Sequence, residues 1–250
     1  MRSRIPYMRI LPIIGILVLI LSVPSVAITS DELKAKVQAA TNGLKDISML
    51  GTVTQSNKDA IAKIDENYTR LYEFKSARVM LKLPDKMRME GKLGMVKFEY
   101  IINGGIKIFR ASPVRINKRS DYSDDPAKLQ SALDVGLITS TLWDNRKVEI
   151  VEDAEAKANC EIKLQLKWPK GDMQTFIWID KNDLWLKKLE KRDGQGDLKV
   201  RVVYSNPKNI DGIIWLPTKA EMYSSSGDKV GTTEMSDIKY NSGLPDSLFE

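Results

Sequence analysis

Apolar and polar residues alternate with a period of two through most of this chain, and that alternation restricts its fold more than any other feature. Ile162, Leu164, Leu166 and Trp168 are interleaved with Glu161, Lys163, Gln165 and Lys167. Successive side chains of a strand point to opposite faces, so such a run is a strand with one buried and one wet face. Ala77, Val79, Leu81 and Leu83 repeat the pattern against Arg78, Met80 and Lys82. Met87 and Met89 alternate with Lys86, Arg88 and Glu90, and Val96, Phe98, Tyr100 and Ile102 with Lys97 and Glu99. Shorter or looser runs follow at 106–110, 148–151, 175–180, 185–191, 199–204, 212–222 and 231–240. Turn chemistry separates them: Pro84-Asp85, 91–94, Asn103-Gly104-Gly105, 169–172, Asp193-Gly194, Asn206-Pro207, Asp211-Gly212 and 226–228. The expectation is one antiparallel sheet of about nine to eleven strands, a width at which sheets curl.

Two segments depart from this period. Ser30 is placed to cap a helix whose first turn holds Asp31 and Glu32. Its apolar stripe is Leu33, Val37, Ala40, Leu44 and Ile47. Pro126 suits the first turn of a second helix, with Leu129, Leu133, Leu137, Ile138 and Leu142 as its stripe and Trp143 following. Gly136 weakens that helix by roughly 1 kcal/mol relative to Ala. Both helices would lie across the concave side of the sheet. The predicted fold is mainly β (α+β): an open, strongly curved antiparallel sheet, an incomplete barrel, covered by two or so α-helices. No repeat or composition break divides residues 28–250, which read as one domain.

Residues 1–27 read as an export signal. Arg2, Arg4 and Arg9 precede an apolar run from Ile10 to Leu21, and Ser25 and Ala27 supply the small residues of a cleavage site. The alternative is an uncleaved anchor, since the uncharged stretch 10–28 is just long enough to span a bilayer. No Cys stands near the cleavage point to carry a lipid anchor. A periplasmic location is expected. Loss of the three arginines lowers the formal charge from +6 to +3, so the exported chain is only mildly basic.

The chain contains no His and one Cys. That removes Ser-His-Asp triads, Cys-His pairs, His-bound metals and disulfide scaffolds. Asp124-Asp125 and 152–155 are acidic runs without the alternating oxygen ligands and central Gly of a calcium loop, and read as solvated turns. Lys118-Arg119 and Lys187-Lys188 sit among alternating Lys and Glu and read as a wet face; no nucleic acid is expected as partner. Asn67-Tyr68-Thr69 is a short sequon of little weight, and Cys160 has no base to activate it. The five Trp, and the Met cluster Met87, Met89 and Met95, suit either a core or the wall of an adaptable apolar cavity. An incomplete barrel under a weakly built helix, with Gly136 and Thr139-Ser140-Thr141 in it, would enclose such a cavity beneath a movable lid.

The order of these segments resembles the LolA/LolB superfamily, and most of all the outer membrane lipoprotein-sorting proteins, over nearly all of 28–250. The residues that carry the likeness are Thr52-Val53-Thr54-Gln55 after the first helix, Leu83-Pro84-Asp85-Lys86-Met87-Arg88-Met89, and the Ile102-Asn103-Gly104-Gly105 hairpin. The late hairpin from Ile179-Asp180 to Leu189-Glu190, then Ile210-Asp211-Gly212, Leu216-Pro217 and the closing 241–249 complete it. The resemblance implies a non-catalytic periplasmic carrier, without cofactor or metal, that acts as a monomer. Its partners would be lipoprotein acyl chains or lipid, with transfer proteins of the inner and outer membranes beside them. The cargo would meet Leu81, Leu83, Met87, Met89, Phe98, Tyr100, Leu133 and Leu137. One departure stands out: Leu83 and Met87 occupy positions where well-studied carriers have an Arg that holds the lid and a Phe. An envelope sensor or adaptor of the same fold is a second reading, and an enzyme acting on envelope material a third.

Overall fold

The computed structural model describes residues 28–61, 64 and 74–250; the expected export signal and the 67–69 sequon lie outside the described residues. Helix α1 (Ser30–Ala40) is entered by Thr29, one residue earlier than expected. The Thr29 hydroxyl accepts from the Glu32 amide at 3.2 Å, and the Glu32 carboxylate accepts from the Thr29 amide at 2.8 Å. This reciprocal box satisfies two of the donors a helix start leaves open. The helix then stops at Thr41, with Gly43 in the left-handed region just beyond. Leu44 and Ile47 therefore leave the predicted stripe, Leu44 for the connection and Ile47 for the next element.

Thirteen strands follow: β1 (Asp46–Ser56), β2 (Ser76–Lys82), β3 (Lys86–Leu93), β4 (Val96–Asn103), β5 (Ile106–Ser112), β6 (Ile116–Asp121), β7 (Lys147–Val151), β8 (Glu161–Lys167), β9 (Gln174–Asp180), β10 (Leu186–Arg192), β11 (Leu198–Ile210), β12 (Ile214–Ser224) and β13 (Lys229–Tyr240). Among the described residues two short helices, α2 (Lys58–Ile61) and α3 (Ala154–Ala158), lie between them. The strands form one antiparallel sheet, ordered β6-β5-β4-β3-β2-β1-β13-β12-β11-β10-β9-β8-β7. It is two meanders joined where β1 pairs with β13, and it does not close into a barrel. The strand count exceeds the expectation partly because of β6, which reads Ile-Asn-Lys-Arg-Ser-Asp and carries no alternation. Its pairing with β5, Phe109 opposite Lys118 and Ile108 opposite Arg119, makes it a strand.

The two edges, β6 and β7, are consecutive in the chain, so residues 122–146 cross from one edge of the sheet to the other. This crossing is not the amphipathic helix expected from Pro126 to Trp143. It is three separate 3-10 turns: Pro126–Lys128, Ala132–Val135 and Ser140–Trp143. Local chemistry breaks the helix at each joint. Ser131 donates its amide to the Asp134 carboxylate at 2.8 Å and so begins a new turn. Gly136 closes that turn at φ 85°, and Thr139 is extended. The apolar residues of the stripe are buried all the same. Leu133, Ile138 and Leu142 join the core formed with α1 and the inner faces of β8–β11, around Leu164, Ile177 and Leu186. Val135 and Leu137 join a second core around Ile47, Met49, Val79, Leu81 and Leu216.

A third, smaller core lies on the other side of the sheet. Met80 points away from its neighbours Val79 and Leu81 and packs with Ile101, Ile108 and fully buried Phe249. The C-terminal turn Asp246–Phe249 is pinned there by Arg88, which donates to the Leu248 carbonyl at 2.9 Å, and by Asn103, which donates to the Phe249 carbonyl at 3.2 Å. The outer face of β2–β5 is thus already covered by the chain's own tail.

Candidate functional site: a cavity between the limbs of the sheet

The register of the hairpins aligns one set of side chains on the inner face of β3 to β6. Met89 is opposite Tyr100, Tyr100 opposite Phe109, and Phe109 opposite Lys118. From the other limb, Leu189 on β10, Val200, Val202 and Tyr204 on β11, and Met222 on β12 face them. Between these walls lies a cavity of about 810 Å³, with the crossing segment at Tyr122, Gln130 and Val135 forming part of its boundary. A volume in this range holds a drug-sized or larger ligand.

The wall is mixed. An aromatic series runs Phe74, Phe98, Phe109, with ring centroids 5.3 Å and 5.9 Å apart. Gly91 makes room for it, since a Cβ there would stand 3.1 Å from the Ser76 carbonyl oxygen and 3.3 Å from the Phe74 ring. Beside the aromatic series the wall is polar. The Lys107 ammonium lies 5.1 Å from the Tyr100 ring centre and 5.7 Å from that of Tyr122, and Lys128 lies 5.9 Å from Tyr122. Lys128 pairs with Asp125 at 2.9 Å, and Lys191 with Asp134 at 3.4 Å. Burial, and then the nearby Asp134 charge, push the Tyr100 hydroxyl well above the ordinary tyrosine range, so it stays a neutral donor. Tyr100 Oη and Gln130 Oε1 are both buried without a hydrogen-bond partner among the described residues.

Of the eight residues expected to meet cargo, the structure brings Met87, Met89, Phe98 and Tyr100 to the cavity wall. Leu81, Leu133 and Leu137 lie instead in close-packed core, and Leu83 is half-buried at its margin. Leu81 packs against Val135 and Leu137 of the crossing segment, which thereby fills the space in front of that strand. Sequence reasoning missed Phe109 and the cationic residues. Phe109 was legible in principle, because the Asn103-Gly104-Gly105 hairpin fixes it opposite Tyr100. The contribution of β10–β12 carried no local signal.

The remaining candidates lie elsewhere. None of the five tryptophans is on the wall. Trp143 donates to the Ser30 hydroxyl at 3.0 Å, Trp168 stacks on Arg146 at 4.1 Å, and Trp178 has Lys188 3.8 Å from its ring centre. Met95 is almost fully exposed at the β3–β4 turn. Asp153, in the acidic run, caps α3 through the Ala156 amide at 2.9 Å and pairs with Lys163 at 2.8 Å, and those contacts hold its carboxyl below the usual range. Cys160 is exposed. Among the described residues no group of three or more acidic or thiol side chains is arranged to hold a metal ion, and Asp134 is the one carboxylate on the cavity wall.

A family model described as "Uncharacterized protein" matches residues 131–250. No curated protein sequence matches the chain. Solved structures do. A domain described as that of an outer membrane lipoprotein-sorting protein from Vibrio parahaemolyticus superposes with a TM-score of 0.63 at 13% identity, covering 88% of this chain and 95% of its own. A LolA superfamily protein from Nitrosomonas europaea gives 0.55 at 15% identity, over 90% of this chain and 98% of its own. A DUF1329 family protein from Desulfovibrio piger gives 0.52 at 14% identity, over 88% and 95%. At these identities the likeness is one of architecture: the chain has the open, curved antiparallel fold seen in LolA-superfamily and lipoprotein-sorting domain structures.

Proposed function

We propose that this protein is a non-catalytic carrier that shelters the acyl chains of a lipid or lipoprotein between the limbs of its sheet. The observation that carries the reading is the cavity of about 810 Å³ to whose wall both meanders contribute apolar side chains, Met89, Phe98 and Phe109 from one and Leu189, Val202 and Met222 from the other. Each buried CH₂ contributes about 0.8 kcal/mol, so a sixteen-carbon chain gains on the order of 12 kcal/mol over water. Most of that gain cancels when the donor or acceptor is itself a membrane, which makes loading and release reversible. The leader-like residues 1–27 support a periplasmic setting, with membrane-bound transfer proteins as donor and acceptor.

A docking or sensing role would ask for a small cavity and an apolar outer face. The cavity is large, and the apolar outer positions Met80, Ile101 and Ile108 are occupied by Phe249. Native mass spectrometry of protein purified without detergent tests the carrier reading. A mass increment that extracts into organic solvent and yields acyl chains is the expected result; protein that stays ligand-free after incubation with phospholipid vesicles would refute it.

A further inference from the structure

The cavity wall carries cationic side chains beside its apolar ones, and the cations are under-neutralised. Four lysines, Lys107, Lys118, Lys128 and Lys191, reach its wall. Two are matched by acids, Lys128 by Asp125 and Lys191 by Asp134. Lys107 and Lys118 meet no carboxylate among the described residues. They sit on one face of the β5–β6 hairpin in diagonal register, Lys107 opposite Ser120 and Lys118 opposite Phe109.

Protection of an exposed sheet edge accounts for an inward lysine on β6, such as Lys118. It does not account for Lys107, which is on β5, one strand in from the edge, half-buried and held over two tyrosine rings. A cation kept in a partly dry wall attracts an anion more strongly than one in water. The buried Tyr100 hydroxyl beside Lys107, without a hydrogen-bond partner among the described residues, leaves a further donor for a headgroup. A neutral Tyr100 hydroxyl donates to an anionic oxygen.

We infer that Lys107 and Lys118 bind an anionic headgroup, so that the preferred cargo is an acyl amphiphile bearing a carboxylate or phosphate, its chain running toward Met89 and Phe98. The inference rests on the carrier reading and narrows its ligand class. A free fatty acid and a phospholipid share this chemistry, and the test separates them.

Delipidated protein is titrated by calorimetry with palmitate, palmitoyl lysophosphatidate and uncharged monopalmitoylglycerol. One or both anions should bind about tenfold or more tightly than the glycerol ester, and the tighter anion names the headgroup. In Lys107→Gln/Lys118→Gln the advantage should fall to about twofold or less while glycerol ester affinity is unchanged, which also shows that the variant is folded. Equal binding of all three ligands by the wild type overturns the headgroup inference and leaves the carrier reading standing. Persistence of the anion preference in the double variant overturns it as well, by removing the lysines from the site. Binding of none of the three overturns the carrier reading, and this inference with it.

Discussion

Single buried polar residues fix parts of this fold that apolar packing leaves undetermined. Asp46 opens β1, is 3% exposed, and accepts four hydrogen bonds: from the Ser242 amide at 2.8 Å, its hydroxyl at 3.0 Å, the Gly243 amide at 3.0 Å and the Leu244 amide at 3.3 Å. These bonds hold the chain where it leaves β13 for the outer face. Asp46→Ala strands the donors, and a urea melt should show a loss of about 2–3 kcal/mol. Glu190 is the second case, 3% exposed and bonded by Arg192 at 2.6 Å and Arg201 at 2.8 Å. Burial alone would raise its pKa; the two guanidinium groups outweigh that and hold it below the ordinary 4.5. Its contribution is therefore complete above that ordinary value and lost as pH falls through the depressed folded one. Near neutral pH, Glu190→Gln should cost about 1–2 kcal/mol, a figure kept small because both arginines are partly in water. Melts taken at successively lower pH, beginning above 4.5, should show the variant's deficit closing. A deficit that stays constant into strong acid would mean that the ion pairs are not its source. None of this was legible in the sequence, because Asp and Glu in alternating strands look alike until their cross-strand neighbours are known.

At the level of elements, the turns and strands were readable and the crossing was not. The stripe Leu129 to Leu142 correctly marked residues that become buried or half-buried, but helical spacing does not require a helix. Gly136 decides the matter. It adopts φ 85°, and a Cβ on it would lie 2.9 Å from Pro217 Cγ and 3.3 Å from the Tyr204 ring. Gly136→Ala combines a left-handed backbone with that clash, so thermal unfolding should report a loss of at least about 1–3 kcal/mol. An unchanged melting temperature would show that the crossing is free to shift off β11 and β12. The tail makes a parallel case. Phe249 is fully buried on the outer face of β2–β5, and Phe249→Ala should cost about 3–5 kcal/mol in chemical denaturation. A much smaller loss would show the tail to be a dispensable cover over Met80, Ile101 and Ile108.

For the whole molecule, the consequential feature is the separation of the two meanders across the cavity. Met89 on one wall and Val202 on the other face a common space, so Met89→Trp with Val202→Trp should narrow it from both sides. The carrier reading expects that pair to lower the amount of copurified acyl chains, read by mass spectrometry, while leaving the far-ultraviolet circular dichroism unchanged. Full lipid loading in the double variant would place the cargo elsewhere. By itself the sequence determined most of the strands, the turns between them and which face of the alternating strands is apolar, because period-two alternation and turn chemistry act between near neighbours. It also determined, through the absence of His, that several kinds of catalytic centre are unavailable. The tertiary structure alone decided where apolar residues meet one another and where they meet empty space. Leu81 and Met89 carry the same local signal, yet one is packed in core and the other borders the cavity. What separates them is the path of residues 122–146 across the sheet, a long-range placement that no local pattern encodes.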